Sequence, residues 1–305
     1  MINQDIYNEL IKICGQTNVL LAEPLKNHTL VKLGGKADFF VMPETYEAVA
    51  EVIRFKEKFQ LPFTLLGNGS NVIVRDGGIR GIVMHFKHLA GLRVEENKII
   101  AQGGANIKDA SRLALAQQLS GLEFACGIPG SIGGAMVMNA GAYGGEVKDV
   151  IDYVKVVTQK GELRQLSKDE LALGYRTSIL SENKDIVLEA VFDLKAGDQK
   201  MIKAAMDDFT FQRESKQPLE YPSVGSVFKR PPGYFAGKLI QDSGLQGKGV
   251  GGAEVSTKHA GFIVNKHNAT ASEYIATIDM VRNKVKETFG VELELEAKIV
   301  GEDLK

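Results

Sequence analysis

Residues 127–145 read Gly-Ile-Pro-Gly-Ser-Ile-Gly-Gly-Ala-Met-Val-Met-Asn-Ala-Gly-Ala-Tyr-Gly-Gly. Seven of these nineteen residues are glycine and none is charged, so the stretch makes no solvated charged face. Pro129 and Gly130 mark a turn, and Ser131 is placed to cap a short helix through Ala135 to Met138. Glycines at a helix start let a ligand approach the main chain, whose free N–H groups favour an anion. A diphosphate is one reading. A tight turn packed against a neighbouring strand is the other, and the stretch alone leaves both open.

On its N-terminal side the apolar periodicity lays out two regions. Ile2, Ile6, Leu10 and Ile13 share a helical face. Ala37 to Met42 reads as a strand, and Thr45 caps a helix whose Val49, Val52, Ile53 and Phe59 form a stripe. Strands follow at Phe63 to Leu66, Val72 to Val74 and Gly81 to Phe86, the last after an Asp76-Gly77-Gly78 turn, which makes a β-α-β-β-β unit. Leu92 to Glu95 and Lys98 to Ala101 then flank the hairpin pair Glu96-Asn97, and Asn106 to Leu119 is helical, with Gly121 as a stop.

On its C-terminal side, Val150 to Thr158 and Glu162 to Leu166 are strands joined across Lys160-Gly161. Ser167 and Glu170 fit a capping box. Ile186 to Leu194 is a strand and Met201 to Phe211 a helix. Pro218, Pro222, Pro231 and Pro232 mark a boundary. Beyond it come a short helix near Leu239, strands near Val250 to Val255 and Gly261 to Asn265, and a long helix. That helix opens with a Thr270…Glu273 box, closes at Gly290, and turns Ile275, Ile278, Val281 and Val285 inward. Val291 to Ile299 alternates as a strand, with Glu292, Glu294 and Glu296 on its polar face. The sum is an α+β chain without regular β-α alternation.

Composition narrows the function. A chain of 305 residues can bury a sizeable core and hold two or three domains. A net charge of −1 argues against a sequence-independent grip on nucleic acid. Cys14 and Cys126 form no CxxC pair, and His85 and His88 have no further ligand set at metal spacing, so neither a disulfide framework nor a metal site is expected. The N-terminus lacks the cationic start and apolar run of a secretory signal, and no apolar run approaches a membrane span. A cytoplasmic protein is expected.

The phosphate-binding device is not a familiar one. Gly67-Asn68-Gly69 opens like a dinucleotide fingerprint, but Val72 stands where the third glycine belongs and a strand follows. Gly247-Lys248 is followed by Gly249, with no Ser or Thr for a P-loop magnesium. Two separate glycine loops remain, 67–71 and 127–134, which together suit a nest of main-chain donors around a diphosphate.

The motifs Gly67-Asn68-Gly69-Ser70-Asn71, Pro129-Gly130-Ser131-Ile132-Gly133-Gly134, Asn139-Ala140-Gly141-Ala142-Tyr143-Gly144, Tyr175-Arg176-Thr177-Ser178, Gly225-Ser226-Val227-Phe228 and the Glu296 strand occur in the order of the UDP-N-acetylenolpyruvoylglucosamine reductase family. The chain resembles that family from about Asn27 to Gly301. The resemblance implies a two-part FAD-binding domain of the vanillyl-alcohol-oxidase type, at 1–94 and 95–216, and a C-terminal α+β substrate-binding domain at 217–305. It implies non-covalent FAD, with NADPH as co-substrate reducing the flavin, which passes hydride to the enolpyruvyl ether of a UDP-sugar and gives UDP-N-acetylmuramate for peptidoglycan precursors. No nucleic acid or membrane partner is implied, and a monomer is expected.

The carried-over site follows the chemistry. Hydride addition to the terminal enol-ether carbon builds negative charge at the neighbouring carbon and its carboxylate, which a cation stabilises. Arg176 matches that cation, Ser226 the proton donor and Glu296 the acid that supports the intermediate. For the cofactor the matches are Gly67, Asn68, Gly69, Ser70, Asn71, Pro129, Gly130, Ser131, Ile132, Gly133, Asn139, Ala140, Gly141, Tyr143 and Gly144. For the substrate they are Tyr175, Lys229, Lys238 and His259. Each catalytic candidate also has a plain reading: Arg176 as a surface ion pair, Ser226 as a turn hydroxyl, Glu296 as one of three water-facing glutamates. Longer members insert a tyrosine-bearing segment between the arginine and serine motifs. Here Ser178 runs straight on to Ile186, so the chain resembles the shorter class and that contact does not transfer. His28 lies near where related flavoproteins attach FAD covalently, and is read as an ordinary loop histidine. The rival readings are another FAD oxidoreductase of the same fold and a non-catalytic flavin- or UDP-sugar-binding protein.

Overall fold

The computed structural model describes residues 3–304, so Ile2, expected on the first helix, lies outside them. The chain forms two compact units: Met1–Leu21, Asp38–Asn68 and Gly81–Gln212 in the first, Ala22–Ala37, Gly69–Arg80 and Arg213–Lys305 in the second. The first unit takes in most of the two segments expected at 1–94 and 95–216. The stretches 22–37 and 69–80 go instead with the C-terminal segment.

In the first unit one sheet runs Val19–Leu21, Ala37–Val41, Ile79–His85, Phe63–Leu66. The helix Asn3–Cys14 buries Ile6 and Leu10. The helix Tyr46–Lys58 begins where Thr45 Oγ1 accepts the Ala48 N–H at 3.1 Å, and it buries Val49, Val52 and Ile53. Phe59, expected on the same stripe, is its C-cap and is 38% exposed, because it lies past the last helical turn. His85 ends a strand, and its Nδ1 lies 3.0 Å from Leu66 O. The exposed His88 meets Asn18 Oδ1 at 3.0 Å.

A second sheet of this unit is wholly antiparallel, in the order Leu163–Ser167, Ile151–Val157, Ile186–Asp193, Lys98–Gln102, Leu92–Glu95. The helices Ile107–Ala116 and Ile132–Val137 share its core of Ile99, Ala110, Ile132, Met136, Val154 and Phe192, each essentially sealed from water. Two expectations change here. The first of these helices stops at Ala116 rather than Leu119: Gln118 turns left-handed (φ +59°), and Leu119 pairs with Ala196 as a strand. Ser167 and Glu170 do bond reciprocally, at 2.8 and 3.4 Å, but Ala172 at φ +45° ends the turn before a helix can form.

The second unit holds an antiparallel sheet in the order Ser223–Ser226, Phe262–Asn265, Ala253–Val255, Gly249–Val250. The helix Ala271–Phe289 packs with it through Tyr274, Ile278, Val281 and Val285, all buried, while Ile275 is half-buried. Its capping box is present, with Glu273 N–H on Thr270 Oγ1 at 3.1 Å and Thr270 N–H on Glu273 Oε2 at 2.9 Å. Gly290 closes it at φ +68°. Val72–Val74 belongs here rather than to the first sheet, paired in parallel with Lys298–Val300. The expected strand 291–299 is only partly one. Leu293 and Ala297 are buried as the alternation requires, yet within that stretch the regular ladder begins at Lys298, because 294–297 meets its neighbour in a single isolated bridge. Among the described residues no helix is long and apolar enough to cross a membrane.

Candidate active site

The two glycine loops meet in the first unit through Gly67, Asn68 and Ser131. A Cβ on Gly67 would stand 2.5 Å from Ser131 Oγ. That hydroxyl accepts the Gly134 N–H at 3.3 Å and so caps Ile132–Val137, as the sequence reading expects. Asn68 Nδ2 donates to Asn106 Oδ1 at 2.6 Å, and Asn106 Nδ2 passes on to Asp109 Oδ2 at 3.0 Å.

The source of anion donors differs from expectation. The helix start is not free: Ile132 N–H donates to Ala105 O and Gly133 N–H to Gly103 O, both at 2.8 Å, while Gly130 O takes the Ile107 N–H at 3.0 Å. In the two loops the N–H groups of Gly67, Asn68, Gly130 and Ser131 are among those that meet no acceptor among the described residues. Main-chain donors left unpaired beside a bare glycine suit an anionic oxygen from a ligand. Asn106 and the carbonyls of Gly103 and Ala105 are parts of this cradle that the motif reading passed over. Asn106 was legible only as the head of a helix.

Downstream, Gly141–Ala142 and Gly145–Glu146 form a short hairpin. Its corner residues Tyr143 and Gly144 both have positive φ, +53° and +84°, the signature of a tight two-residue hairpin turn. The Tyr143 ring lies flat on Phe209, centroids 4.6 Å apart and planes 5° from parallel. Asn139 is fully buried, at φ +42°. Its Nδ2 donates to Glu146 Oε2 and to Gly174 O at 3.0 Å, and its Oδ1 accepts the Lys148 N–H at 2.9 Å.

Gly174 opens the turn that carries Arg176. Gly174 N–H donates to Thr177 O at 3.0 Å and Thr177 N–H returns to Gly174 O at 3.4 Å. Arg176 sits at its corner with φ +56°, a conformation costly for a side chain of its size. Its Nη2 donates to Gly141 O at 3.3 Å, and its guanidinium carbon lies 5.3 Å from the ring centroid of Tyr175, which is largely exposed. The buried Ser178 hydroxyl donates to Val137 O at 2.8 Å. The helix Ile179–Asn183 and the strand Ile186–Asp193 follow at once, with no inserted segment.

In the second unit three chain segments bring Ser226 and Glu296 together. Glu296 N–H donates to Val227 O at 2.9 Å, and Lys229 N–H to Glu294 O at 2.9 Å. Asn71 Nδ2 donates to Glu296 O at 3.0 Å and Asn71 O accepts the Lys298 N–H at 3.0 Å. Ser226 is exposed, and its aim is set by a β-bulge. Ser223 pairs with Val264 and Ser226 with Phe262, so one strand carries one residue more than its partner, and Gly225 takes φ +79°. Arg176 belongs to the first unit, whereas Ser226 and Glu296 belong to the second.

The remaining candidates of the second unit are dispersed. Gly69 abuts the main chain of His28, where a Cβ would come within 2.2 Å of His28 O, and its own carbonyl takes the Leu30 N–H at 3.0 Å. Lys229 pairs with Glu294, and Lys238 with Asp242 one turn along the helix Ala236–Asp242. His259 accepts the Gly261 N–H on Nδ1 at 3.1 Å and meets Phe262 edge-on. Burial holds its pKa below the ordinary histidine value. His28 Nε2 lies 2.8 Å from Glu23 Oε1. Among the described residues no group of three or more His, Cys, Asp or Glu is placed to hold a metal ion.

Residues 37–167 match the FAD binding domain family, and residues 217–300 match the C-terminal domain of UDP-N-acetylenolpyruvoylglucosamine reductase. The chain is 72% identical over 300 residues to the UDP-N-acetylenolpyruvoylglucosamine reductase of Geobacillus kaustophilus, covering 98% of this chain and 99% of that one. It is 61% identical over 302 residues to the protein of the same name from Oceanobacillus iheyensis, covering 99% and 98%. Among solved structures, the reductase of Thermus caldophilus superposes with a TM-score of 0.79 at 32% identity, covering 93% of this chain and 98% of that one. With both family models in chain order and a near full-length match at this identity, the chain belongs to the UDP-N-acetylenolpyruvoylglucosamine reductase family, in its shorter class.

Proposed function

We propose that Arg176, Ser226 and Glu296 carry the chemistry of this enzyme. As a member of its family the chain is an FAD-dependent oxidoreductase, UDP-N-acetylmuramate dehydrogenase, with NADPH as reductant, in peptidoglycan precursor synthesis. Bound FAD supplies the two-electron hydride carrier between NADPH and the enolpyruvyl ether. The unpaired N–H groups of Gly67, Asn68, Gly130 and Ser131 fit its diphosphate, and FAD is held there without a covalent link.

The Arg176 guanidinium binds the substrate carboxylate and stabilises the negative charge that grows beside it when the terminal carbon gains hydride. Ser226 Oγ gives its proton to the neighbouring carbon. A hydroxyl is a weak acid at neutral pH, so its contribution rests on placement. The Glu296 carboxyl supports the same charge-bearing group alongside Arg176. Tyr175, Lys229, Lys238 and His259 are assigned to the UDP moiety. In this reading 1–94 and 95–216 hold the cofactor, 217–305 covers the substrate, and the protein works in the cytoplasm as a monomer.

What supports the assignment above all is the register in the second unit. The Glu296 N–H on Val227 O at 2.9 Å and the glycine bulge put the proton donor and the acid on adjoining backbone. The test is anaerobic. Ser226→Ala leaves flavin reduction by NADPH intact and slows reoxidation by the enolpyruvyl UDP-sugar by roughly 10²- to 10⁴-fold. Equal loss of both half-reactions refutes the proton-donor role.

A further inference from the structure

We infer that Asn139 is a positioning residue for Arg176, and that it acts on the arginine rather than on the cofactor. The inference rests on the role proposed for Arg176. Three ties run between 137–141 and 174–178: Asn139 Nδ2 to Gly174 O at 3.0 Å, Arg176 Nη2 to Gly141 O at 3.3 Å and Ser178 Oγ to Val137 O at 2.8 Å. The first fixes the main chain where the arginine turn begins. The second fixes the guanidinium on a carbonyl two residues beyond Asn139. Asn139 thus holds the start of the arginine turn directly, and the chain just beyond it carries the carbonyl that takes the guanidinium.

The chemistry of position 139 suits this task. Asparagine enters the left-handed region more readily than other side chains, and its φ is +42°. Both of its N–H donors are engaged, on Glu146 and Gly174, and its oxygen holds the Lys148 N–H. A fully buried amide with both donors committed to protein offers none to a ligand. Arg176 itself sits at φ +56°, so the turn stays strained only while its surroundings hold it. Remove the clamp and the turn relaxes, carrying the guanidinium off the carboxylate it must meet.

The experiment compares two ligands that differ by that carboxylate. Dissociation constants of the enolpyruvyl UDP-sugar and of UDP-N-acetylglucosamine are read from flavin absorbance changes on oxidised holoenzyme. Asn139→Asp keeps the acceptor oxygen and removes both donors. Asn139→Gly keeps the left-handed backbone and removes all three bonds. In each variant the enolpyruvyl ligand weakens by roughly 10- to 100-fold while the ligand without the carboxylate stays within roughly threefold. In an Arg176→Ala background Asn139→Asp changes the ratio no further. Equal weakening of both ligands, or an effect that adds to that of Arg176→Ala, overturns the proposal. So does a weakened hold on FAD, which would make Asn139 a cofactor residue. An Arg176→Ala enzyme that keeps the wild-type ratio refutes the arginine's own role, and the positioning role falls with it.

Discussion

Replacing Gly225 by alanine separates the bulge that aims Ser226 from the hydroxyl itself. At φ +79° a side chain is disfavoured, but a Cβ there would meet nothing within 4 Å, so the cost is conformational alone. That cost is about 1–2 kcal/mol. The strand can escape it only by losing the bulge, and a one-residue slip turns inward-facing residues outward. Val224 and Val227 are 3% and 0% exposed, and exposing either costs about 1.5–3 kcal/mol. Slipping would also break the Val227 N–H bond to Gly261 O at 3.0 Å and the Glu296 N–H bond to Val227 O at 2.9 Å. The strained bulge is therefore the cheaper state and persists. Gly225→Ala loses about 1–2 kcal/mol in denaturant unfolding, yet its reduced flavin is reoxidised by substrate within roughly threefold of wild type. Ser226→Ala does the reverse, with near-native stability and reoxidation slowed by roughly 10²- to 10⁴-fold. A Gly225→Ala enzyme with intact stability and the slow reoxidation of Ser226→Ala would show that the ladder does not hold the serine.

Two further outcomes follow from the same geometry. In Gly67→Ala the new Cβ forces the Ser131 hydroxyl out of its cap, since the two would lie 2.5 Å apart. Loss of that cap costs about 1 kcal/mol and the protein purifies with less than one FAD per chain; full FAD content and wild-type stability would disprove the cradle. For His259, the folded pKa lies below the ordinary histidine value, because burial disfavours the charged ring. The unfolded chain takes up the proton first, so the ring's contribution to stability is complete above its unfolded pKa and is lost as pH falls toward the folded value. Thermal midpoints of wild type fall between pH 7.5 and 5.5 more steeply than those of His259→Gln; parallel profiles would sink the assignment.

Much of the fold was legible because its signals are local. The capping box at Thr270 and Glu273, the glycine stop at Gly290 and the hairpin at Glu96-Asn97 each lie within a few residues of the structure they specify. One misreading came where a distant partner decides and another where a single backbone turn does. Val72–Val74 looks like one more strand of its neighbourhood, but its partner is Lys298–Val300, more than two hundred residues along the chain. Ser167 and Glu170 make the right bonds, and the helix fails because Ala172 turns left-handed. At the site, the glycine loops were visible as glycine loops. That the helix start is already bonded to Gly103 and Ala105, with the N–H groups of 67, 68, 130 and 131 among those left open, depends on a register no motif encodes.

The glutamates at 292, 294 and 296 bring that distinction to the chemistry. Period-two alternation makes them equivalent, three carboxylates on one polar face. The structure separates them by their partners. Glu292 and Glu294 are exposed and pair with Lys286 and Lys229, the ordinary fate of surface charge. Glu296 is half-buried, and its main chain is held on both sides: its N–H by Val227, next to the proposed proton donor, and its carbonyl by Asn71, the last residue of the first glycine loop. Those contacts tie three stretches of chain together within the folded unit. The placement of Ser226 and Glu296 on adjoining backbone is thus a property of the folded unit. A family member without the tyrosine-bearing insert need not close over its substrate to bring those two together.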